Sequence, residues 1–173
     1  WFTPDPAPLV VGDRLYVYTG HDENGADFFW MNEWRVYSTT DMANWTDHGT
    51  PLSLASFSWA DDRAWAAQCI ERNGKYYLFY SANYRVNPTN EGENFKIGVA
   101  VSDSPAGPFK DLMNRPIFNP EYPIIDANVY FDDENGKCYL YYSRCCYKHS
   151  VESEIADSLR KAGSFSEMEE SGG

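Results

Sequence analysis

The chain has 173 residues, with 14 Lys+Arg against 26 Asp+Glu and a formal charge of −12. That balance excludes nucleic acid as a partner, because a phosphate backbone needs a basic face. No apolar run approaches the roughly 18 to 20 residues of a membrane-spanning helix, and the 17% aromatic content marks a folded, acidic chain the size of one ordinary domain or part of a larger one.

The chain opens on Trp1 rather than Met, so its start is expected upstream, and secretion or the periplasm is the expected destination. Asp5 lies in Thr3-Pro-Asp-Pro-Ala-Pro8, a turn-forming run directly ahead of an apolar stretch. Residues 7–18 read as a hairpin of two apolar strands turning at Gly12. Residues 36–45 read as a strand followed by Asp41, a turn and an aromatic. The run Ala64-Trp-Ala-Ala-Gln68 leads into a second hairpin, residues 68–80, turning at Asn73-Gly74. Asn-Gly suits a type I′ turn because both central positions there need positive φ. Residues 99–109 repeat the strand, Asp, turn and aromatic order around Asp103. Ile124-Ile-Asp-Ala-Asn128 precedes a third hairpin, residues 128–142, with Asn135-Gly136 as its turn. Val151, Ile155 and Leu159 then fall on one helical face, with Ser150 as N-cap and Gly163 as C-cap, before a polar, acidic tail.

Gly12, Gly74 and Gly136 recur every 62 residues, and Asp41 and Asp103 stand 62 apart as well. Two independent landmarks with one period mark an internal repeat. Four short strands per unit, with no helix between units, point to the blades of a β-propeller. The expected fold is all-β: about three blades from the N-terminal part of a propeller, with a short helix-like insert at the C-terminal end. Blade 1 is expected at about 1–57, blade 2 at about 58–119, a partial blade 3 at about 120–147, and the insert and tail at 148–173.

Innermost strands line a propeller's axis, so residues just ahead of them open at one end of the channel. Asp5 and Asp126 hold such places in the first and third units, and Trp65 stands near the matching place in the second. Two carboxylates facing one cavity suit glycoside hydrolysis, where one group activates water and another protonates the leaving oxygen. Trp65 could wall a sugar ring, or simply belong to the core. Asp41 and Asp103 read as turn stabilisers, and Asp61-Asp62 and Asp132-Asp133-Glu134 as solvated loops. Cys69, Cys138, Cys145 and Cys146 form no CxxC pair and read as buried free thiols; His21, His48 and His149 share no ligand spacing, so no metal site is expected from spacing.

The strings Thr3-Pro-Asp-Pro-Ala-Pro-Leu-Val-Val-Gly-Asp-Arg-Leu-Tyr-Val-Tyr-Thr-Gly-His-Asp22, Glu33-Trp-Arg-Val-Tyr-Ser-Thr-Thr-Asp-Met-Ala-Asn-Trp45, Ala64-Trp-Ala-Ala-Gln-Cys-Ile70, Ile97-Gly-Val-Ala-Val-Ser-Asp103 and Ile125-Asp-Ala-Asn-Val-Tyr-Phe131 together resemble glycoside hydrolase family 43, in its order of motifs. The resemblance covers residues 1–147. It implies a five-bladed propeller and an inverting glycosidase of β-xylosidase or α-L-arabinofuranosidase type, with arabinan cleavage ranking below these. By position, Asp5 matches the general base, Asp126 the carboxylate that raises the pKa of the general acid and orients it, and Trp65 an aromatic beside the sugar subsite. The family's acid is a glutamate of a later blade, and none of Glu152, Glu154, Glu167, Glu169 or Glu170 matches it. The isolated chain is therefore expected to be inactive. The implied partner is a carbohydrate, and no organic cofactor is implied, calcium being left open. A carbohydrate-binding propeller without turnover is the alternative from another class. A five-bladed family retaining configuration on fructosides ranks last, because its opening differs from Thr3-Pro-Asp5.

Overall fold

The computed structural model describes residues 2–85, 94–144 and 161. They build three antiparallel sheets in chain order. The first runs β1 (Ala7–Val11), β2 (Arg14–Thr19), β3 (Glu33–Thr39) and β4 (Thr46–Asp47), with β5 (Leu52–Ser53) pairing back onto the start of β3. A 3-10 turn at Leu54–Ser56 leads to the second sheet: β6 (Ala60–Arg72), β7 (Lys75–Tyr84), β8 (Phe95–Ser102) and β9 (Lys110–Asp111). The third holds β10 (Ile124–Asp132) and β11 (Lys137–Arg144). Two four-stranded blades and the inner hairpin of another make a partial propeller, as the repeat predicts. The fourth strands begin directly after Trp45 and Phe109.

The hairpin turns differ in kind. At Asn73-Gly74 both residues take positive φ, 54° and 73°, as a type I′ turn requires. Asn135-Gly136 does not form that turn. Asp132 pairs with Lys137 across a four-residue loop in which only Gly136 has positive φ. The Asp132 carboxylate accepts from the backbone of Glu134 and from the Asn135 side chain, and this local competitor draws the loop out.

Aromatic side chains fill the space between the first and second sheets. Trp34 is 0% exposed and packs 4.7 Å from Tyr80, which lies 5.9 Å from Trp59. Rings of this size each bury about 150–250 Å², worth roughly 4–6 kcal/mol of gross transfer free energy at 25 cal/mol per Å². Gly98 sits opposite Tyr80 in the β7–β8 register, and a Cβ there would lie 2.5 Å from the Tyr80 ring and 2.6 Å from Trp59. Glycine at 98 is what lets Trp59 and Tyr80 stack. A smaller cluster of Ile97, Ile124 and Ala127, flanked by Phe79 and Leu140, joins the second sheet to the third.

Several expectations need correcting. Asp61 and Asp62 are not in a solvated loop but on β6, where Asp62 pairs with Arg63 at 3.1 Å. Asp132 ends β10 rather than lying in a loop, whereas Asp133 and Glu134 sit in an exposed turn as expected, Asp133 reaching Arg72 of the second sheet at 2.5 Å. Cys69 is buried as expected, whereas Cys138 is exposed, because β11 has no neighbour on its far side among the described residues. Asp41 does stabilise its turn, accepting from the Ala43 and Asn44 amides, while Asp103 pairs instead with Lys75. The helix expected around Val151, Ile155 and Leu159, and the residues Cys145, Cys146 and His149, lie outside the described residues.

Candidate active site

The inner strands β1, β6 and β10 share one irregularity, and it builds the site. Pro4 accepts from the Gly20 amide and Ala7 pairs with Tyr18, so Asp5 and Pro6 together oppose Thr19. Asp62 pairs with Asn83 and Trp65 with Ser81, leaving Arg63 and Ala64 opposite Ala82. Ile125 pairs with Ser143 and Asn128 with Tyr141, leaving Asp126 and Ala127 opposite Tyr142. Each is a two-against-one bulge, and the first residue of each takes positive φ: Asp5 at 53°, Arg63 at 58° and Asp126 at 58°. Left-handed backbone at a residue other than glycine costs about 1–3 kcal/mol and is held by its surroundings. Such a bulge breaks the strand's alternation and re-aims one side chain.

Arg63, not Trp65, is therefore the second sheet's counterpart of Asp5 and Asp126. Sequence reading missed it because arginine carries no turn signal. Its guanidinium pairs with Asp62 and lies 4.6 Å from the Trp30 ring and 5.9 Å from Phe95. Arg63 thus braces the aromatic loop between β2 and β3 and is absent from the cleft lining.

Asp5 and Asp126 do come together. They line one cleft of about 190 Å³ with Trp65, Phe29, Met31 and Ile125. Trp65 is only 8% exposed: it stacks on Phe95 at 4.3 Å, and its indole N–H donates to the Phe29 carbonyl at 2.9 Å. The Trp34 indole in turn donates to the Trp65 carbonyl at 2.8 Å. Trp65 is thus a fixed wall, with one face already occupied. Phe29 and Met31, which the sequence reading missed, come from the β2–β3 loop; its Phe28-Phe29-Trp30 run was the available signal.

Both carboxyls titrate above the ordinary carboxylate value. Partial burial is the main cause for Asp5, reinforced by the negative charge of Asp22. For Asp126, burial again leads and the charge on Asp5 adds to it. Asp22 is held by backbone bridges to Phe2 and Met31, and its buried Oδ1 has no hydrogen-bond partner among the described residues. Among those residues no group of three or more His, Cys, Asp or Glu could hold a metal ion. Two mutually repelling carboxyls with raised pKa in an aromatic cleft can deprotonate a water on one side and hold a proton nearby on the other.

Comparison with known proteins identifies relatives of the chain. The chain is 35% identical over 151 residues to a xylosidase/arabinosidase of Bacteroides ovatus, covering 82% of this chain and 43% of that protein. It is 35% identical over 157 residues to xylosidase/arabinosidase 43A of Humicola insolens, with the same two coverages. Among solved structures it resembles a β-xylosidase/α-arabinofuranosidase from a compost microbial metagenome, in complex with xylotriose. That similarity has a TM-score of 0.68 at 36% identity, over 80% of this chain and 42% of the other. The chain thus spans less than half the length of these relatives. The profile of Glycosyl hydrolases family 43 matches residues 1–163, which establishes that the chain belongs to that family.

Proposed function

We propose that the protein carrying this chain is an inverting glycosidase acting on xylose- or arabinose-containing plant polysaccharides or oligosaccharides. The observation that carries this reading is the convergence of Asp5 and Asp126, from two different sheets, on one aromatic-walled cleft. Asp5 is the general base: ionised, it takes a proton from the water that attacks the anomeric carbon. Asp126 orients the general acid, a glutamate outside the described residues, and its negative charge keeps that acid protonated near neutral pH. Inversion needs room for the water, so acid and base stand roughly 6.5–9.5 Å apart. Trp65 and Phe29 wall the sugar ring, leaving the face beside Asp5 open to the attacking water.

The test is release of pentose from nitrophenyl β-xyloside and α-arabinofuranoside by the full-length protein, with the anomer of the product followed by proton NMR. Inverted product, abolished by Asp5→Asn with no fall in Tm, supports the reading. Binding of xylo-oligosaccharides with no turnover would instead make the protein a carbohydrate-binding propeller.

A further inference from the structure

Three side chains of the second sheet reach the inner strand of the third. Gln68 of β6 accepts from the Val129 amide at 2.7 Å, Ser81 of β7 accepts from the Asp126 amide at 3.0 Å, and Lys96 of β8 donates to the Tyr122 carbonyl at 3.1 Å. Three successive strands thus meet three successive points along one strand and the segment leading into it. Ser81 and Lys96 are both 0% exposed. Only the Ser81 contact lands on a residue of the cleft.

Asp126 is the left-handed residue of its bulge, so its amide stands outside the regular β10–β11 ladder. An amide so placed needs a partner from elsewhere, and a buried one left without it is costly. The Ser81 hydroxyl supplies that partner from an adjoining blade. We infer that Ser81 is a positioning residue for Asp126: by taking its amide, the buried hydroxyl fixes the left-handed bulge that turns the Asp126 carboxylate into the cleft. This rests on the role proposed above for Asp126. Ser81 itself is absent from the cleft lining.

The experiment is a double-mutant cycle in the full-length protein, using Ser81→Ala and Asp126→Asn, with kcat and KM measured across pH. Ser81→Ala should lower kcat about 10- to 100-fold with little change in KM, since misplacing a catalytic group by about 1 Å can cost some 100-fold. The alkaline limb should move to lower pH, as with Asp126→Asn. In the Asp126→Asn background the same substitution should cost less than about 3-fold, because its effect runs through the missing carboxylate. Equal losses in both backgrounds would overturn the inference. If Ser81→Ala does not fold, Ser81→Cys keeps the shape with a far weaker acceptor and takes its place in the cycle. Carbon-13 NMR of the Asp126 carboxyl reads the contact without turnover: in the Ser81 variant its titration should fall towards the ordinary carboxylate range. An unmoved titration refutes the positioning role, whereas absence of turnover in the unsubstituted protein refutes only the proposed function.

Discussion

Lys96 offers the sharpest quantitative test of how the blades are joined. It is 0% exposed, and its ammonium donates to Asn94 Oδ1 at 2.6 Å and to the Tyr122 carbonyl at 3.1 Å, both neutral acceptors. Burial pulls its pKa down from 10.5 to about 8. The folded pKa of a base lies below the unfolded one, so between about pH 8 and 10.5 the unfolded chain binds more protons. Stability therefore rises with pH through that window. Keeping the amine charged below pH 8 costs the fold roughly 3 kcal/mol, at about 1.4 kcal/mol per pKa unit. Raising the pH from about 7 to about 9.5 returns roughly 2 kcal/mol of this. Lys96→Met keeps the apolar stem and has nothing to titrate. Urea unfolding of the full-length protein and its Lys96→Met variant, followed by tryptophan fluorescence at both pH values, isolates the effect. The hydrogen bonds lost with the amine shift both comparisons equally, so only the change with pH counts. The buried Tyr18 and Tyr80 hydroxyls, pushed up mainly by burial, bear on stability above about pH 10 and do so alike in both proteins. A stability difference that stays constant from pH 7 to 9.5 would refute the reasoning.

Asp22→Asn removes the charge that helps hold Asp5 above its ordinary value, so the acid limb of kcat/KM in the full-length protein should move to lower pH; an unmoved limb would show that burial alone sets the pKa of Asp5. Asp126→Asn should move the alkaline limb to lower pH and slow substrates with poor leaving groups most, because the acid then ionises earlier; a lowered Tm with an unchanged profile would make Asp126 a mere strand cap. Gly98→Ala drives a methyl into Tyr80 and Trp59 and should destabilise the fold by about 3 kcal/mol, measured by denaturant unfolding. The Cys69 thiol, pushed up to about 12 mainly by burial, should resist alkylation in the native protein at pH 8 and react on unfolding.

The blades were legible in the sequence because their turns are local chemistry. Asn73-Gly74 states its conformation in two letters, and a repeat of 62 residues needs no tertiary knowledge to see. Asp5 and Asp126 were legible for a similar reason, the repeat placing their strands on the axis, although Asp126 lies at a bulge inside β10 rather than ahead of it. The exchange of roles at the second blade was not. Arg63 takes the left-handed bulge because Asp62 and Trp65 are pinned in register on either side, a constraint that exists only once β6 and β7 have paired. Phe29 enters the cleft, and Asp22 acts on Asp5, from one long connection where no periodicity foretells which residues turn inward. Lys96 sits in the apolar run Phe95-Lys-Ile-Gly-Val-Ala-Val101, and a strand buried on both faces was a fair warning that its lysine is buried too.

Gln68 and Ser81 accept from backbone amides, not from side chains. A backbone amide is present whatever residue occupies positions 126 and 129, with one exception. The side chain at 129 is therefore free to change without losing this contact, whereas the left-handed backbone at 126 restricts its occupant. Proline at either position, lacking the N–H, would remove the contact outright. The register of this strand against its neighbour thus rests on two residues of a different blade.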